Sequence, residues 1–208
     1  MSEYEYEPIR GLPGNLPPGE QILWQGAPDP WVFARSALAV RWIAGYFAVL
    51  VVWALVSGTL LGAMLTAALG ALALGLAFGF ALMVARTTVY TITNRRVVLR
   101  IGVALSKCIN LPLSKLGSAD LRDQGKGFGD IALVPTGPSM LGYAMLWPHA
   151  RPLRMGSPQP MLRALPAVHE VAAVLARATA AIAPVQQRQG QPVASAVKPS
   201  HGPIGAAA

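Results

Sequence analysis

The longest stretch without charge is the most informative feature of the sequence. No Asp, Glu, Lys or Arg occurs between Arg41 and Arg86, an interval of 44 residues. A helix that crosses a bilayer needs about 20 apolar residues, and one straight helix of this length would measure about 66 Å, twice the thickness of the hydrocarbon core. The stretch therefore predicts two transmembrane helices joined by a short turn, over 36–57 and 59–85.

Few residues that carry chemistry are present. The single cysteine, Cys108, excludes an internal disulfide and a zinc site built from cysteines. The histidines do not have the spacing of metal ligands, and no nucleophile–base pair or cluster of carboxylates is found. The glycine-rich loop at 125–129 precedes a predicted strand and lacks the Lys-Ser/Thr of a phosphate loop, so it predicts a β-turn. We expect no catalytic residue, no metal ligand and no cofactor, and we expect that the protein is not an enzyme.

Arginines flank the uncharged stretch and set its expected orientation. Arg35 and Arg41 precede it and four arginines follow it, whereas the turn at 57–59 has no charge. Basic residues close to membrane spans stay on the cytoplasmic side. We therefore predict a multi-pass membrane protein with both termini in the cytoplasm. The arginines after the second span are candidates for contact with lipid headgroups or an acidic partner, with topology signalling as the alternative: Arg86, Arg95, Arg96 and Arg100.

The charge of the chain is concentrated in its last part. Residues 1–41 carry three Arg against five acidic residues, a net charge of −2, and residues 86–208 carry fourteen Lys and Arg against four acidic residues, a net charge of +10. Such a segment beside a membrane is attracted to anionic headgroups by about 1 kcal/mol per basic residue near the surface. Nucleic acid is the rival partner for this charge, but no nucleic-acid-binding motif is present. We expect anionic lipids as partners and no nucleic acid.

Composition divides the chain into four segments. Residues 1–30 hold six prolines and predict an extended, irregular cytoplasmic strap. Residues 31–85 contain an interfacial segment and the two spans, 86–183 predict a small cytoplasmic domain, and 184–208 predict a disordered tail rich in Gln, Pro, Ala, Gly and Ser. Tryptophan side chains favour the membrane–water interface. The expected interfacial anchors are Trp24, Trp31 and Trp42.

Small residues at a spacing of four mark the region of the second span. They are Gly58 with Gly62, and Gly75 with Gly79. Small residues at this spacing let helix backbones approach closely in lipid. Two interpretations stay open: the glycines pack the two helices of the hairpin together, or one face docks a transmembrane helix of a partner. Because residues 42–85 contain no Asp, Glu, Lys, Arg or His, a proton- or ion-coupled transporter is disfavoured.

The pattern after the second span is that of a small α+β domain. Its apolar periodicity predicts a helix over 166–182. A third membrane span over 131–147 stays open as an alternative, since this segment has no charge although prolines and glycines interrupt it. Alternating β-branched and aromatic residues predict strands over 88–93, 96–101, 103–113, 119–123, 129–134 and 144–147.

Several segments resemble known proteins. Residues 90–102, Tyr-Thr-Ile-Thr-Asn-Arg-Arg-Val-Val-Leu-Arg-Ile-Gly, and residues 127–134, Gly-Phe-Gly-Asp-Ile-Ala-Leu-Val, resemble strands of membrane-anchored bacterial PH-like domains. Residues 18–26, Pro-Gly-Glu-Gln-Ile-Leu-Trp-Gln-Gly, are similar to the lead-in that such proteins place before their first span. Together with residues 5–13, this lead-in more narrowly resembles the photosynthetic complex assembly proteins of purple bacteria.

The resemblance implies both a fold and a function. The expected fold is an α+β membrane protein, with a transmembrane helical hairpin followed by a cytoplasmic PH-like β-barrel of seven strands and a C-terminal helix. The implied location is the bacterial inner (intracytoplasmic) membrane. The implied function is non-enzymatic assembly of the photosynthetic reaction centre and core light-harvesting complex, with reaction-centre and core-antenna subunits as partners. A general lipid- or stress-sensing protein with the same domain is the alternative, and whether the chain forms a homo-oligomer stays open.

Overall fold

Seven strands in two antiparallel sheets form the body of the protein. The structure, a computed structural model, describes residues 10–137 and 142–190, with side chains up to residue 182. Sheet A has the order β1-β2-β3-β4 and sheet B the order β5-β6-β7. The strands are β1 Ile22–Gly26, β2 Val89–Thr93, β3 Arg96–Ile101, β4 Lys107–Pro112, β5 Leu116–Gly125, β6 Phe128–Pro135 and β7 Met161–Leu165.

In the described residues five α-helices accompany the sheets, and two of them form an apolar hairpin. They are α1 Pro30–Ser36, α2 Val40–Val56, α3 Leu60–Thr87, α4 Tyr143–Leu146 and α5 Val168–Gly190. The turn between α2 and α3 contains Gly58 in the left-handed region, with φ +72°, a conformation that costs glycine little. Thr59 lies directly before α3, and its hydroxyl donates to the carbonyl of Ala54 across the turn.

The length and apolar composition of α3 make it the described helix that fits a membrane span by itself. Helices α1 and α2 meet the same criteria only when they are taken together, and they are bent by 63° relative to each other. Core helices of soluble proteins have the same composition, but only 17% of the most apolar window of α3 is buried. Of the two predicted spans, α3 therefore has the length and exposure expected from the uncharged stretch, whereas α2, with 17 residues, does not reach this length by itself.

The hairpin is inserted between two neighbouring strands of sheet A. Strand β1 precedes α1, and β2 follows α3 after a single residue, yet β1 and β2 pair with each other. The sequence predicted an irregular strap over residues 1–30, and the structure differs because this segment supplies β1. Pro18 and Pro28 lie outside β1, so no backbone donor of the ladder is lost. Residues 1–9 of the strap lie outside the described residues.

The two sheets share one hydrophobic core, which α5 covers. Val168, Val171, Leu175 and Ala178 of α5 pack against the buried side chains of β2, β3, β6 and β7. Within the described residues no strand of sheet A pairs with a strand of sheet B. The prediction of a β-barrel was therefore wrong in this respect: the seven strands are present, but they form two open sheets.

The segment proposed as a third span belongs to the domain. Residues 128–135 form the central strand of sheet B, residues 138–141 lie outside the described part, and the predicted strand over 144–147 is replaced by the short helix α4. The C-terminal helix also differs in extent from its prediction: it begins at Val168 and continues through Pro184 to Gly190, over the first residues of the predicted tail. Residues 191–208 lie outside the described residues.

Candidate interaction site at the junction of the hairpin and the domain

A small second core joins the hairpin to the domain. Two tryptophan rings cover the last turns of α3. The centroid of the Trp31 ring lies 4.4 Å from that of Phe78, and the Trp147 ring stacks on Phe80 with a centroid distance of 5.6 Å. The part of α3 from Phe78 onward is therefore held by the domain and by α1. The buried members of this core are Val32, Phe33, Ala34, Ala81, Val84 and Ala164.

A buried network of hydrogen bonds lies directly beneath this junction. The hydroxyl of Tyr90 accepts from the backbone N–H of Arg163 at 3.2 Å and lies 2.8 Å from His149 Nδ1. The hydroxyl proton is thus available to Nδ1, and the opposite ring nitrogen, Nε2, lies 3.3 Å from the hydroxyl of Thr88. This arrangement assigns the neutral Nε2–H tautomer to His149. The network connects the start of β2, the segment after α4, and β7.

Burial controls the ionisation of the network. It lowers the pKa of His149 to about 3 and raises the pKa of Tyr90. Burial also lowers the pKa of Arg163, while the charge of Asp130 acts in the opposite direction. His149 and Tyr90 are therefore neutral at physiological pH. A neutral, fully buried pair with complete hydrogen bonds is suited to fixing the position of α3, and it offers no open path for a substrate.

The orientation of α1 is set by a second chain of hydrogen bonds. Asp130 accepts from the backbone N–H of Ala164 at 2.8 Å and from Gln124 at 2.6 Å. Ala164 has φ +52°, and its carbonyl accepts from the backbone N–H of Asp29 at 2.9 Å. Asp29 in turn caps α1 by accepting from Val32 N–H at 2.9 Å. The strained backbone at Ala164 therefore lies where β7 contacts the start of α1.

A basic cleft opens where α3 enters the domain. Its volume is about 310 Å³, and it brings together Arg10, Arg86 and Arg100 from the strap, the last turn of α3, and β3. A guanidinium nitrogen of Arg10 lies 3.4 Å from the carbonyl of Arg86. Three guanidinium groups around one cavity suit an anion such as a phosphate group. The other lining residues are Thr87, Val89, Gly102, Val103, Ala104 and Ser106.

The four arginines predicted to contact headgroups separate into two groups. Arg86 and Arg100 line the cleft, joined there by Arg10, which sequence reasoning missed because it lies far away in the strap. Arg96 instead donates to the carboxylate of Glu20 through Nε at 2.8 Å and Nη2 at 3.1 Å. The Glu20 side chain is only 2% exposed, so Arg96 serves to hold the strap. Arg95 is exposed on the β2–β3 turn, away from the cleft lining.

The tryptophans predicted as interfacial anchors also lie in different environments. Trp31 and Trp42 are exposed by 67% and 83%, at the start of α1 and of α2. Trp24 lies on β1 and packs against the domain core instead. Trp147 is 55% exposed and contacts α3 beside Trp31. The exposed tryptophans at the base of the hairpin are therefore Trp31, Trp42 and Trp147.

The predicted docking glycines occupy different environments. Gly58 lies in the turn, and a Cβ added to Gly62 would lie 3.1 Å from the Thr59 hydroxyl. Nothing lies within 4 Å of a Cβ added to Gly75 or Gly79. The close approach within the hairpin occurs at Gly70, where a Cβ would lie 2.9 Å from Phe47. The structure thus assigns the packing of the hairpin to Gly70 and leaves 75 and 79 on an open face.

Comparison with known proteins places these features in a family. The family described as Bacterial PH domain matches residues 37–179, which include the hairpin and most of the two sheets. The chain is 39% identical over 193 residues to an uncharacterized 23.7 kDa protein in the puhA 5′ region of Rhodobacter capsulatus, covering 86% of this chain and 88% of the relative. No solved structure matches the chain.

Proposed function

The chain belongs to the bacterial PH domain family, and from that premise we propose that it is a non-enzymatic, membrane-anchored assembly factor of the PuhB type. Its clients are the reaction-centre and core-antenna subunits of photosynthetic membranes. The observation that carries this proposal is the similarity to the Rhodobacter capsulatus protein over most of both chains, because the name of that relative refers to the puhA region. We extend this photosynthetic context to the present chain.

The exposure of the hairpin supports a location in the membrane. Leucines around α3 are exposed by 58–71%, which in water would leave a large apolar surface uncovered. They are Leu60, Leu61, Leu65, Leu69, Leu72 and Leu76. In the proposed arrangement α2 and α3 cross the inner membrane, the exposed tryptophans lie at its cytoplasmic surface, and the domain and both termini lie in the cytoplasm.

The open face of α3 is the proposed contact with client helices. Gly75 and Gly79 lie on this face with nothing within 4 Å of an added Cβ, so a partner helix can approach the backbone closely. Helix packing in lipid depends on such close contact, since lipid supplies no hydrophobic driving force between helices. The domain would then hold the cytoplasmic segments of the same immature subunits.

Substitutions on the open face test this proposal. We expect Gly75→Leu and Gly79→Leu together to lower the yield of core complex in photosynthetically grown cells without preventing insertion of the protein. Ala67→Leu in the same helix is a control for added bulk, because Ala67 is exposed but turned by about 100° from the face that carries Gly75 and Gly79. Co-purification of reaction-centre and antenna polypeptides with the wild-type protein is the direct readout. Unchanged core-complex levels in the double variant would contradict the docking face.

The basic cleft favours a second candidate function, a general lipid- or stress-sensing protein. Arg10, Arg86 and Arg100 converge at the base of the hairpin, where an anionic headgroup would lie. We expect Arg86→Gln with Arg100→Gln to weaken retention of anionic lipid by the purified protein, with Arg95→Gln as the matched control. If this loss occurs and no photosynthetic polypeptide co-purifies with the wild-type protein, the second function is favoured over the first.

A further inference from the structure

Strand β5 has an exposed outer edge. It is the edge strand of sheet B, and residues 117–123 are all exposed. In the part of the chain that the structure describes, no strand pairs with this side of β5. Long exposed edges are templates for pairing with another chain, because their peptide groups are not satisfied within the sheet.

The pairing with β6 determines which peptide groups of β5 point outward. The N–H of Leu133 in β6 donates to Pro160, towards β7. Peptide groups alternate in direction along a strand, so those of Ala132 and Val134 face β5. Asp120 is opposite Ala132 and Ala119 is opposite Leu133. The peptide groups of Ala119, Leu121 and Asp123 therefore point away from the sheet.

The side chains of β5 carry alternating charge on one face. Asp120 and Arg122 are two residues apart, so their side chains lie on the same face of the strand. Asp120 accepts a hydrogen bond from Arg151 at 2.5 Å, and its side chain is still 50% exposed. Arg122 makes no ion pair with any described residue. An acceptor with room for a second donor thus lies beside an arginine whose opposite residue in β6, Asp130, already accepts from Gln124 and Ala164.

We propose that β5 pairs in antiparallel fashion with β5 of a second copy of this chain, with Leu121 opposite Leu121. In this register the outward peptide groups meet each other, and Asp120 of each copy lies opposite Arg122 of the other. Sheet B then continues through six strands. The proposal goes beyond the function proposed above and does not depend on any client.

Charge selects this register over its neighbours. A shift that placed Asp120 opposite Asp120, or Arg122 opposite Arg122, would bring like charges together, which destabilises a strand pair. A shift that instead paired outward with inward peptide groups would remove the hydrogen bonds. Among registers that satisfy the backbone at the centre of β5, the one centred on Leu121 pairs both charges with opposite charges.

The apolar face of β5 is also completed by this pairing. A groove of about 350 Å³ lies between β5 and α5, and it is lined by Leu121, Ile131, Ala172 and Leu175 among others. Leu121 is 42% exposed at the open side of this groove. The second copy places its own Leu121 directly beside it, which removes both side chains from water.

Disulfide formation in the full-length protein tests the register. Opposite residues in a hydrogen-bonded antiparallel pair have Cα atoms about 5.5 Å apart, within the range that a disulfide requires. We expect Leu121→Cys, with the native thiol removed by Cys108→Ala, to form a cross-linked dimer in membranes under mild oxidation. Leu105→Cys in the same background is the control, because it is 77% exposed but lies outside β5. Equal cross-linking of the two variants would overturn the proposal.

Charge reversal distinguishes this interface from dimers formed through other surfaces. Asp120→Arg and Arg122→Asp, each added to the Leu121→Cys protein, place like charges opposite each other, and we expect the cross-linked fraction to fall about tenfold. Co-expression of the two variants restores both opposite-charge pairs, so a mixed dimer should recover the wild-type level. This recovery also shows that both variants fold. Cross-linking that does not respond to charge, or the absence of recovery, would overturn the proposal.

Discussion

Protonation of His149 is expected to destabilise the junction between the hairpin and the domain. His149 is 1% exposed, and burial lowers its pKa from 6.5 to about 3. In the neutral ring, Nδ1 accepts a hydrogen bond from the hydroxyl of Tyr90, and the oxygen of that hydroxyl accepts from the Arg163 N–H. Protonation of Nδ1 would remove the acceptor of the Tyr90 hydroxyl and place a charge in a site that is closed to water.

The direction and magnitude of this loss of stability follow from the linkage between proton binding and folding. Because the folded pKa lies below the unfolded value, the unfolded chain binds the proton more readily, and stability is complete above pH about 6.5. It falls as the pH decreases towards 3, by about 1.4 kcal/mol per pH unit. At pH about 4.5 the loss due to His149 amounts to about 3 kcal/mol, a large share of the stability of a small domain.

The variant His149→Gln isolates this effect. Glutamine preserves one acceptor and one donor but does not titrate, so its unfolding free energy should depend less on pH than that of the wild type. The measurement is urea unfolding of the full-length protein in detergent, followed by near-UV circular dichroism between pH about 7 and about 4.5. The difference between the two proteins should shrink by about 3 kcal/mol over this range. Parallel pH profiles would refute the reasoning, whatever the absolute stabilities.

Two further substitutions test the attachment of the strap and the packing of the hairpin. Glu20→Gln removes a nearly buried carboxylate that accepts two hydrogen bonds from Arg96. We therefore expect a loss of about 3 kcal/mol in unfolding free energy at neutral pH. An unchanged unfolding free energy would contradict the assignment of Arg96 to holding the strap. Gly70→Leu brings bulk against Phe47 and should destabilise the hairpin by about 1–3 kcal/mol in a thermal unfolding assay, whereas Gly75→Leu should leave stability unchanged because its face is open.

Features that depend on local sequence were predictable. The charge-free stretch predicts the hairpin because bilayer thickness and helix rise fix the length of a span. Strands β2 and β3 were predicted to within a residue, since β-branched residues alternate on both sides of a tight turn. The arginines near the end of α3 indicated part of the basic cleft, because Arg86 and Arg100 lie close to the helix end in sequence as well as in space.

Features that depend on distant contacts were not predictable from one sequence. Strand β7 has buried residues on both faces, including Arg163, and a left-handed residue at Ala164, so it shows no alternation. The role of Arg96 depends on Glu20, which is 76 residues away. The local sequence predicted Trp24 to be an interfacial anchor, yet the pairing of β1 with β2 places it on the domain core. In each case a tertiary contact outweighs the local pattern.

The connections of the hairpin determine how contact with a client would reach the domain. Three residues separate β1 from α1 and one residue separates α3 from β2, and these two strands pair with each other. Both ends of the hairpin are thus fixed at one place in sheet A, with Thr88 bonded to His149 at the exit of α3. Residues 79 and 86 of α3 lie about 10 Å apart along a continuous helix. In the proposed function, a partner helix that tilts α3 must therefore move the basic cleft with it, because no flexible linker is present to absorb the motion.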